Sequence, residues 1–486
     1  MSSKLGLDKF KIDQIDSLAD ESIQVNKISK NDIAIIGLAA RLPGNRELDQ
    51  FWEDLRHGFD FVDNFPRGRV ADIQPYLRSM GMSEDEIVYE EGAYLDQIAY
   101  FDPLFFQISP KEGALMDPNQ RLFLETAWHA LEEAGYGGNC LEGSNTGIYL
   151  GYNNDDTINY KYMVFKMEPD AANLSFTGNI QSIIASRLAY LLNLKGPSMV
   201  VDTACSSALV GVHLACKDLQ AGRCQMALAG GVKIRLAPLE GGEDSIGINA
   251  SDYRAKTFDE SSDGTGVGEG VFTILLKPLA SAIEDRDQIH AVIKGSAINQ
   301  DGASVGITAP NAMAQTQVIK SAWEDAGIDP ETVSYIEAHG TGTNLGDPIE
   351  INGITRAFRE YTDKRQFCGI GALKTNIGHL DHAAGIAGLF KGVLSLKNNQ
   401  LVPTLHFEDP NRKIDFVNSP VYITDKLQNW ESQNNNPRRC GVSAFGLSGT
   451  NCHLILEEAP ELKKKDDGVK PYLLTISAKT QRALVE

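Results

Sequence analysis

The sequence predicts an α/β fold made of two similar halves, and three observations point there. Its apolar strands are continuous runs, the pattern of strands buried on both faces. Strand and helix patterns alternate from residue 32, and the same rhythm starts again beyond Pro278. Glycine-rich motifs follow directly on strands, at the strand ends where α/β sheets bind ligands.

Residues 1–31 are polar and charged, with Leu7, Phe10, Ile15 and Leu18 spaced for a short amphipathic helix; they read as a linker or docking segment outside the core. The first half, 32–285, opens on an apolar strand at 32–37. Strands follow at 146–151, 198–202 and 225–231, with a helix at 208–219 whose apolar face is Leu209, Val212, Leu214 and Ala215. The second half, 286–460, carries strands at 290–295, 333–337, 368–372 and 452–456 and helices at 314–326 and 384–396. From 461 the character changes. A charged run leads to a fresh strand at 472–476, and the chain stops inside a helix at 481–486, which predicts a piece of a longer polypeptide whose next linker begins here.

The chain has 486 residues, 42% hydrophobic and 23% charged, ordinary values for a globular protein. A formal charge of −20 argues against nucleic acid or an anionic membrane surface as main partner, because both need a sustained basic face. The basic spots at Arg412-Lys413, Arg438-Arg439 and 463–465 read as solvated surface or as docking points for an acidic partner. There is no apolar run long enough for a membrane span and no signal-peptide pattern. Seven cysteines without paired spacing predict a reducing, cytoplasmic setting and no metal site.

The chemistry starts at Asp202-Thr203-Ala204-Cys205-Ser206-Ser207. A buried strand runs into small residues, then a cysteine, then an apolar helix. That places Cys205 at a helix N-terminus, where unpaired amides and the dipole are expected to favour a thiolate. A lone cysteine is otherwise a small buried hydrophobe; two histidine motifs tip the reading towards a nucleophile. Glu337-Ala338-His339-Gly340-Thr341-Gly342-Thr343 and Lys374-Thr375-Asn376-Ile377-Gly378-His379 both sit in small-residue turns at strand ends. The segment from Gly441 to Asn451 is a glycine-spaced loop that can offer backbone amides to an oxyanion, with Phe445 as a bulky lid. Two look-alikes, 264–270 and 369–375, miss the dinucleotide and P-loop spacings.

These four segments, in this order, resemble the β-ketoacyl synthase domains of modular polyketide synthases, over roughly residues 32–460. The likeness includes Phe101-Asp102-Pro103-Leu104-Phe105-Phe106 and Met116-Asp117-Pro118-Asn119-Gln120-Arg121-Leu122. It implies the thiolase fold, two βαβαβαββ halves in a five-layer αβαβα sandwich, working as a homodimer. It implies an acyltransferase-class reaction: Cys205 accepts an acyl chain, and decarboxylative Claisen condensation with a malonyl-type unit on an acyl carrier protein extends it. A non-elongating synthase that only passes chains between carriers is the alternative. In the family's pattern His339 and His379 donate hydrogen bonds to the enolate, Lys374 fixes the local charge and orients His379, and the amides of Cys205 and of Phe445-Gly446 hold the oxyanion. Thr341, Thr343 and Asn451 become substrate-binding residues. Substrates arrive on phosphopantetheine arms of carrier domains, so neither a metal nor a directly bound cofactor is expected. Residues 239–243 with 261–270 look like synthases served by a separate, trans-acting acyltransferase, and 173–179 resembles segments that reach the partner subunit's pocket. Two departures from the family pattern, Leu447 and Cys452-His453, are expected to lie off the chemistry.

Overall fold

The computed structural model describes residues 29–83, 85, 87–154, 158–240, 248–432, 436–461, 478 and 480–485. The expected helix near Leu7–Leu18, the strand at 472–476 and residues 241–243 lie outside the described residues. Two units are distinguished. Of the smaller, made of the chain's two ends, the described part holds the helix Gln481–Val485. The larger, Lys30–Ala459, carries the fold.

Among the described residues its main sheet has eleven strands: β1 (Ile33–Arg41), β2 (Thr146–Gly151), β3 (Ser198–Val201), β4 (Met226–Lys233), β5 (Gly270–Pro278), β6 (Ala291–Gln300), β7 (Val333–Glu337), β8 (Cys368–Gly371), β9 (Val421–Ile423), β10 (Arg439–Phe445) and β11 (Thr450–Glu458). Along the sheet they run β9-β8-β7-β10-β11-β6-β1-β5-β4-β2-β3. Each half therefore has the same internal order. Counting strands within a half and leaving β9 as an added edge, it reads third, second, fourth, fifth, first. In both halves the fifth strand is antiparallel to its neighbours, β5 against β1 and β4, β11 against β6 and β10. In both, the second strand is parallel to the third and fourth. The halves join where Ile33, Ala34 and Ile35 pair with Ile293, Val292 and Ala291.

Helices complete five layers. One outer face of the first half is covered by α1 (Pro118–Glu133), and the far face of the second by α3 (Ala312–Ala326), with α4 (Gly346–Arg359) packed beside it. Between the half-sheets lie α2 (Ser207–Gln220) and α5 (Ala384–Asn398), which touch each other and strands of both halves. Their sequences require that position. From Ala384 to Leu396 every residue of α5 is buried, apolar or small but for Lys391 and Ser395, and a helix buried all round finds its place only in a middle layer. Each fully buried aliphatic or aromatic side chain there, such as Ile386, Leu389 or Phe390, contributes roughly 1.5–3 kcal/mol. This is the thiolase fold that the family resemblance implies.

Two local readings change. The segment 441–451 is a hairpin, not a loop: β10 and β11 pair from Arg439↔Glu457 to Phe445↔Asn451, around a short turn at 446–449. Gly441, Gly446 and Gly449 obscured the alternation that marks a strand. Strand β5, buried at eight of nine positions although it carries Thr273 and Lys277, has no counterpart among the strands expected from the sequence.

Candidate active site

Strand β3 ends at Val201, and the next residues form a turn fixed from several sides. Ala204 has φ +55, a left-handed conformation that costs a residue with a side chain about 1–3 kcal/mol. Asp202 Oδ1 accepts the Ala204 N–H at 3.1 Å, Ser207 Oγ accepts the Thr203 N–H at 2.9 Å, and Ser206 Oγ donates to the Thr203 carbonyl at 2.9 Å. Gly151, at the end of β2, lets the start of α2 approach. A Cβ there would lie 2.3 Å from the Ala208 nitrogen. Cys205 is thus presented half-buried, two residues before α2 begins.

The histidines come from the second half. His339 follows β7, and its backbone is clamped at both ends. Glu350 of α4 accepts the N–H groups of His339 and Gly340 at 2.7 and 2.8 Å, while Lys374 Nζ donates to the His339 carbonyl at 2.6 Å. The His339 ring stands edge-on to Phe445 and to His379, with centroids 5.7 and 5.8 Å away. Nδ1 of His379 accepts the Asp381 N–H at 2.8 Å, so in the neutral ring the proton sits on Nε2. Burial, reinforced by the nearby Lys374 ammonium, holds His339 well below the usual imidazole range and brings His379 down to about 3. Both rings are neutral hydrogen-bond donors at ordinary pH.

Cys205, His339, His379, Thr341, Thr343, Phe445, Gly446 and Leu447 line one open cavity. It is a place where a thiol and two neutral imidazoles face the same guest. Lys374 lies behind it, lining a smaller pocket with Glu337. There the buried Glu337 pairs with Lys391 of α5 at 2.9 Å and accepts the Leu373 N–H at 2.6 Å. Asp347 and Glu350, at the start of α4, are both pushed up to about 7, chiefly by burial.

Five expectations are corrected. Lys374 bonds the carbonyl of His339, and it is Asp381 that orients His379. The Gly446 N–H is engaged by the Thr450 carbonyl at 2.8 Å, so it is not free for an oxyanion; the amides that face the Cys205 sulfur are those of Leu447 and of Cys205 itself. Leu447, expected to lie off the chemistry, therefore borders it. Asn451 is fully buried and does not line the cavity; its Nδ2 donates to Asn299 Oδ1 and Asp301 Oδ1 at 3.1 and 2.7 Å, tying the hairpin to β6. Burial and then the Asp381 carboxylate push the Cys205 thiol up to about 11, more than the amides and Lys374 pull it down, so the resting group is a thiol, not the thiolate expected at a helix N-terminus. Sequence reading also missed Glu350 and Asp381 and, although it opens the first histidine motif, the part played by Glu337. Their roles depend on contacts across elements, and no local pattern marks them. Among the described residues no cluster could hold a metal and no helix is long and apolar enough to cross a membrane.

The chain matches two families in succession, "Beta-ketoacyl synthase, N-terminal domain" over residues 30–282 and "Beta-ketoacyl synthase, C-terminal domain" over 290–408, followed by "Ketoacyl-synthetase C-terminal extension" over 410–486. It is 42% identical over 456 residues to polyketide synthase PksL of Bacillus subtilis, covering 93% of this chain and 10% of that protein. To polyketide synthase PksM of the same organism it is 43% identical over 446 residues, covering 88% of this chain and 10% of the relative. The chain thus spans about a tenth of the length of these two relatives. Among solved structures it is similar to the ketosynthase from module 6 of the bacillaene synthase of Bacillus subtilis 168, with TM-score 0.78 and 41% identity over 88% of this chain and 72% of that one. Ketosynthase twelve of the bacillaene polyketide synthase of Bacillus amyloliquefaciens gives TM-score 0.81 and 37% identity, over 94% and 79%.

Proposed function

This chain belongs to the β-ketoacyl synthase family, and from that premise we propose that it extends polyketide chains by decarboxylative condensation at Cys205. The observation that carries the proposal is the sharing of one cavity by Cys205 and two neutral imidazoles. A hydrolase would need a base to activate water; this site offers donors.

In the first half-reaction the Cys205 sulfur attacks the acyl thioester of an upstream carrier. The N–H groups of Leu447 and Cys205 stabilise the oxyanion, and the proton of Cys205 leaves with the carrier's thiol. In the second, a malonyl-type unit on another carrier loses carbon dioxide. The electron pair of the broken C–C bond passes into an enolate whose oxygen His339 and His379 hold, each such donor typically worth about 10²–10³ in rate. The enolate carbon attacks the acyl carbonyl, the C–S bond breaks, and the Cys205 thiolate that leaves takes a proton from solvent water. Glu350 and Lys374 act through the His339 backbone, fixing where its ring stands.

Thr341 and Thr343 line the approach for the phosphopantetheine arm. The partners are carrier domains upstream and within the module, a second copy of the chain in a homodimer, and a separate trans-acting acyltransferase that loads the carrier. The working division is 32–285 for the half bearing the nucleophile and 286–460 for the half bearing both histidines, with 1–31 and 461–486 as linkers.

The test follows both half-reactions by intact-protein mass spectrometry. Incubation with an acyl thioester should add the acyl mass to the wild type and not to Cys205→Ala. Malonyl-loaded carrier should then remove that mass and yield a β-ketoacyl carrier. Acylation with transfer of an unextended chain would replace this reading with that of a chain-passing synthase.

A further inference from the structure

The site holds a second ion pair that the mechanism above does not use. Lys233, the last residue of β4, has a side chain only 8% exposed, and its Nζ lies 3.2 Å from Asp381 Oδ2. Asp381 follows His379 by two residues, lines the cavity with Cys205, and has φ +40. A left-handed backbone at a residue with a side chain persists only where its surroundings hold it. Here that conformation aims the Asp381 N–H at His379 Nδ1.

The same residue offers Nδ1 two incompatible partners. Its N–H needs the Nδ1 lone pair, at 2.8 Å, and its carboxylate Oδ1, 3.7 Å away, would take an Nδ1–H proton. The first choice places the ring proton on Nε2 and makes His379 a donor. The second leaves a lone pair on Nε2 and makes it a base, as in the Asp–His pairs of serine hydrolases. His379 is neutral either way, because burial and Lys374 exclude the imidazolium. What matters for an enolate is the tautomer.

We propose that Lys233 and Asp381 form a positioning pair that keeps the His379 imidazole in its Nε2–H tautomer. Lys233 engages the carboxylate at Oδ2 and weakens its claim on an Nδ1 proton. The Asp381 N–H then decides the tautomer. The role rests on the condensing reading of the site, and both residues are positioning residues acting through His379.

The test uses the wild type, Lys233→Met, Lys233→Arg and the double variant Lys233→Met/Asp381→Asn. Elongation with malonyl-loaded carrier is measured after acylation of Cys205, and the His379 tautomer is read from ring ¹⁵N shifts, assigned with His379→Ala. Lys233→Met should elongate about 10²–10³-fold more slowly, the cost of one lost donor, with the ring proton shifted towards Nδ1. Lys233→Arg keeps the cation and should stay near wild type, and the double variant, lacking the competing carboxylate, should recover most of the loss. A His379 proton on Nδ1 in the wild type would overturn the proposal, and that reading needs no variant to fold. So would a folded Lys233→Met that elongates normally, or a folded double variant no better than the single. A wild type that never elongates refutes the condensing reading instead, while its ¹⁵N tautomer still tests the pair.

Discussion

Gly446 sits where the β10–β11 turn presses on the Cys205 turn, and replacing it with alanine measures how tightly that contact sets the chemistry. A Cβ at this position would lie 2.3 Å from the Thr203 carbonyl oxygen, 2.9 Å from Ser206 Oγ and 3.0 Å from the Thr450 carbonyl oxygen. Ordinary non-bonded contact needs about 3.5 Å, so relief requires a shift of about 1 Å between the two turns. Two of those three atoms are backbone oxygens, and Ser206 Oγ is held by hydrogen bonds to Thr203, so no flexible side chain can simply swing away. The Leu447 N–H is the next amide along, and it moves with the turn. A displacement of about 1 Å at a reacting centre typically costs about 10²-fold in rate, and overpacking of this kind costs about 1–3 kcal/mol in stability. Gly446→Ala should therefore be acylated at Cys205 about a hundredfold more slowly, followed as the gain of acyl mass with time. Gly222→Ala is the control. Gly222 also lies in a turn, with φ +69, but its Cβ would meet nothing within 4 Å, so the methyl adds backbone strain far from the site. A folded Gly446→Ala acylated as fast as Gly222→Ala would refute the claim that the two turns share one tight geometry.

Three further outcomes follow from the electrostatics. Because the Cys205 thiol is pushed up to about 11, its alkylation rate should keep rising beyond pH 9, the ordinary thiol value; a plateau at neutral pH would mean a stabilised thiolate. Glu350, raised from 4.5 to about 7, holds its proton more tightly folded than unfolded, so its contribution to stability falls as pH rises through that window. Glu350→Gln should therefore lose less stability than the wild type between pH 4.5 and 7, measured by denaturant midpoints; parallel curves would contradict the shift. Arg69 and Glu269 form a buried pair at 2.6 Å, with Glu269 also accepting the N–H groups of Leu95 and Arg235, so Arg69→Met should destabilise by roughly 3–5 kcal/mol, and an unchanged denaturant midpoint would count against it.

What was legible in the sequence was what is local. Short, mainly apolar runs marked β2 and β7 to the residue, although Ser334 and Glu337 interrupt the second. Cys205, His339 and His379 stood out for the same kind of reason. Cys205 and His339 sit in turns of small residues just past a strand, His379 follows the short helix Lys374–Ile377 and Gly378, and the fold brings the three into one cavity. The misreadings came from distance. Lys374 lies five residues before His379, which suggested that it serves that ring, whereas its ammonium crosses to the carbonyl of His339 in the neighbouring strand-end turn. Glu350 lies on a helix eleven residues beyond His339 and carries no mark of its role. The thiolate expected from a helix N-terminus failed because burial and Asp381, 176 residues away in the chain, outweigh the amides.

The central claim is that the two imidazoles serve the enolate and not the thiol. It is tested most directly by separating the half-reactions in His339→Ala and His379→Ala. Each variant is first acylated at Cys205, then mixed with malonyl-loaded carrier, and loss of the acyl mass is timed against formation of the β-ketoacyl carrier. Both variants should still take up the acyl chain while condensation slows by about 10²–10³-fold. Condensation at the wild-type rate, or acylation and condensation lost to the same degree, would contradict the claim.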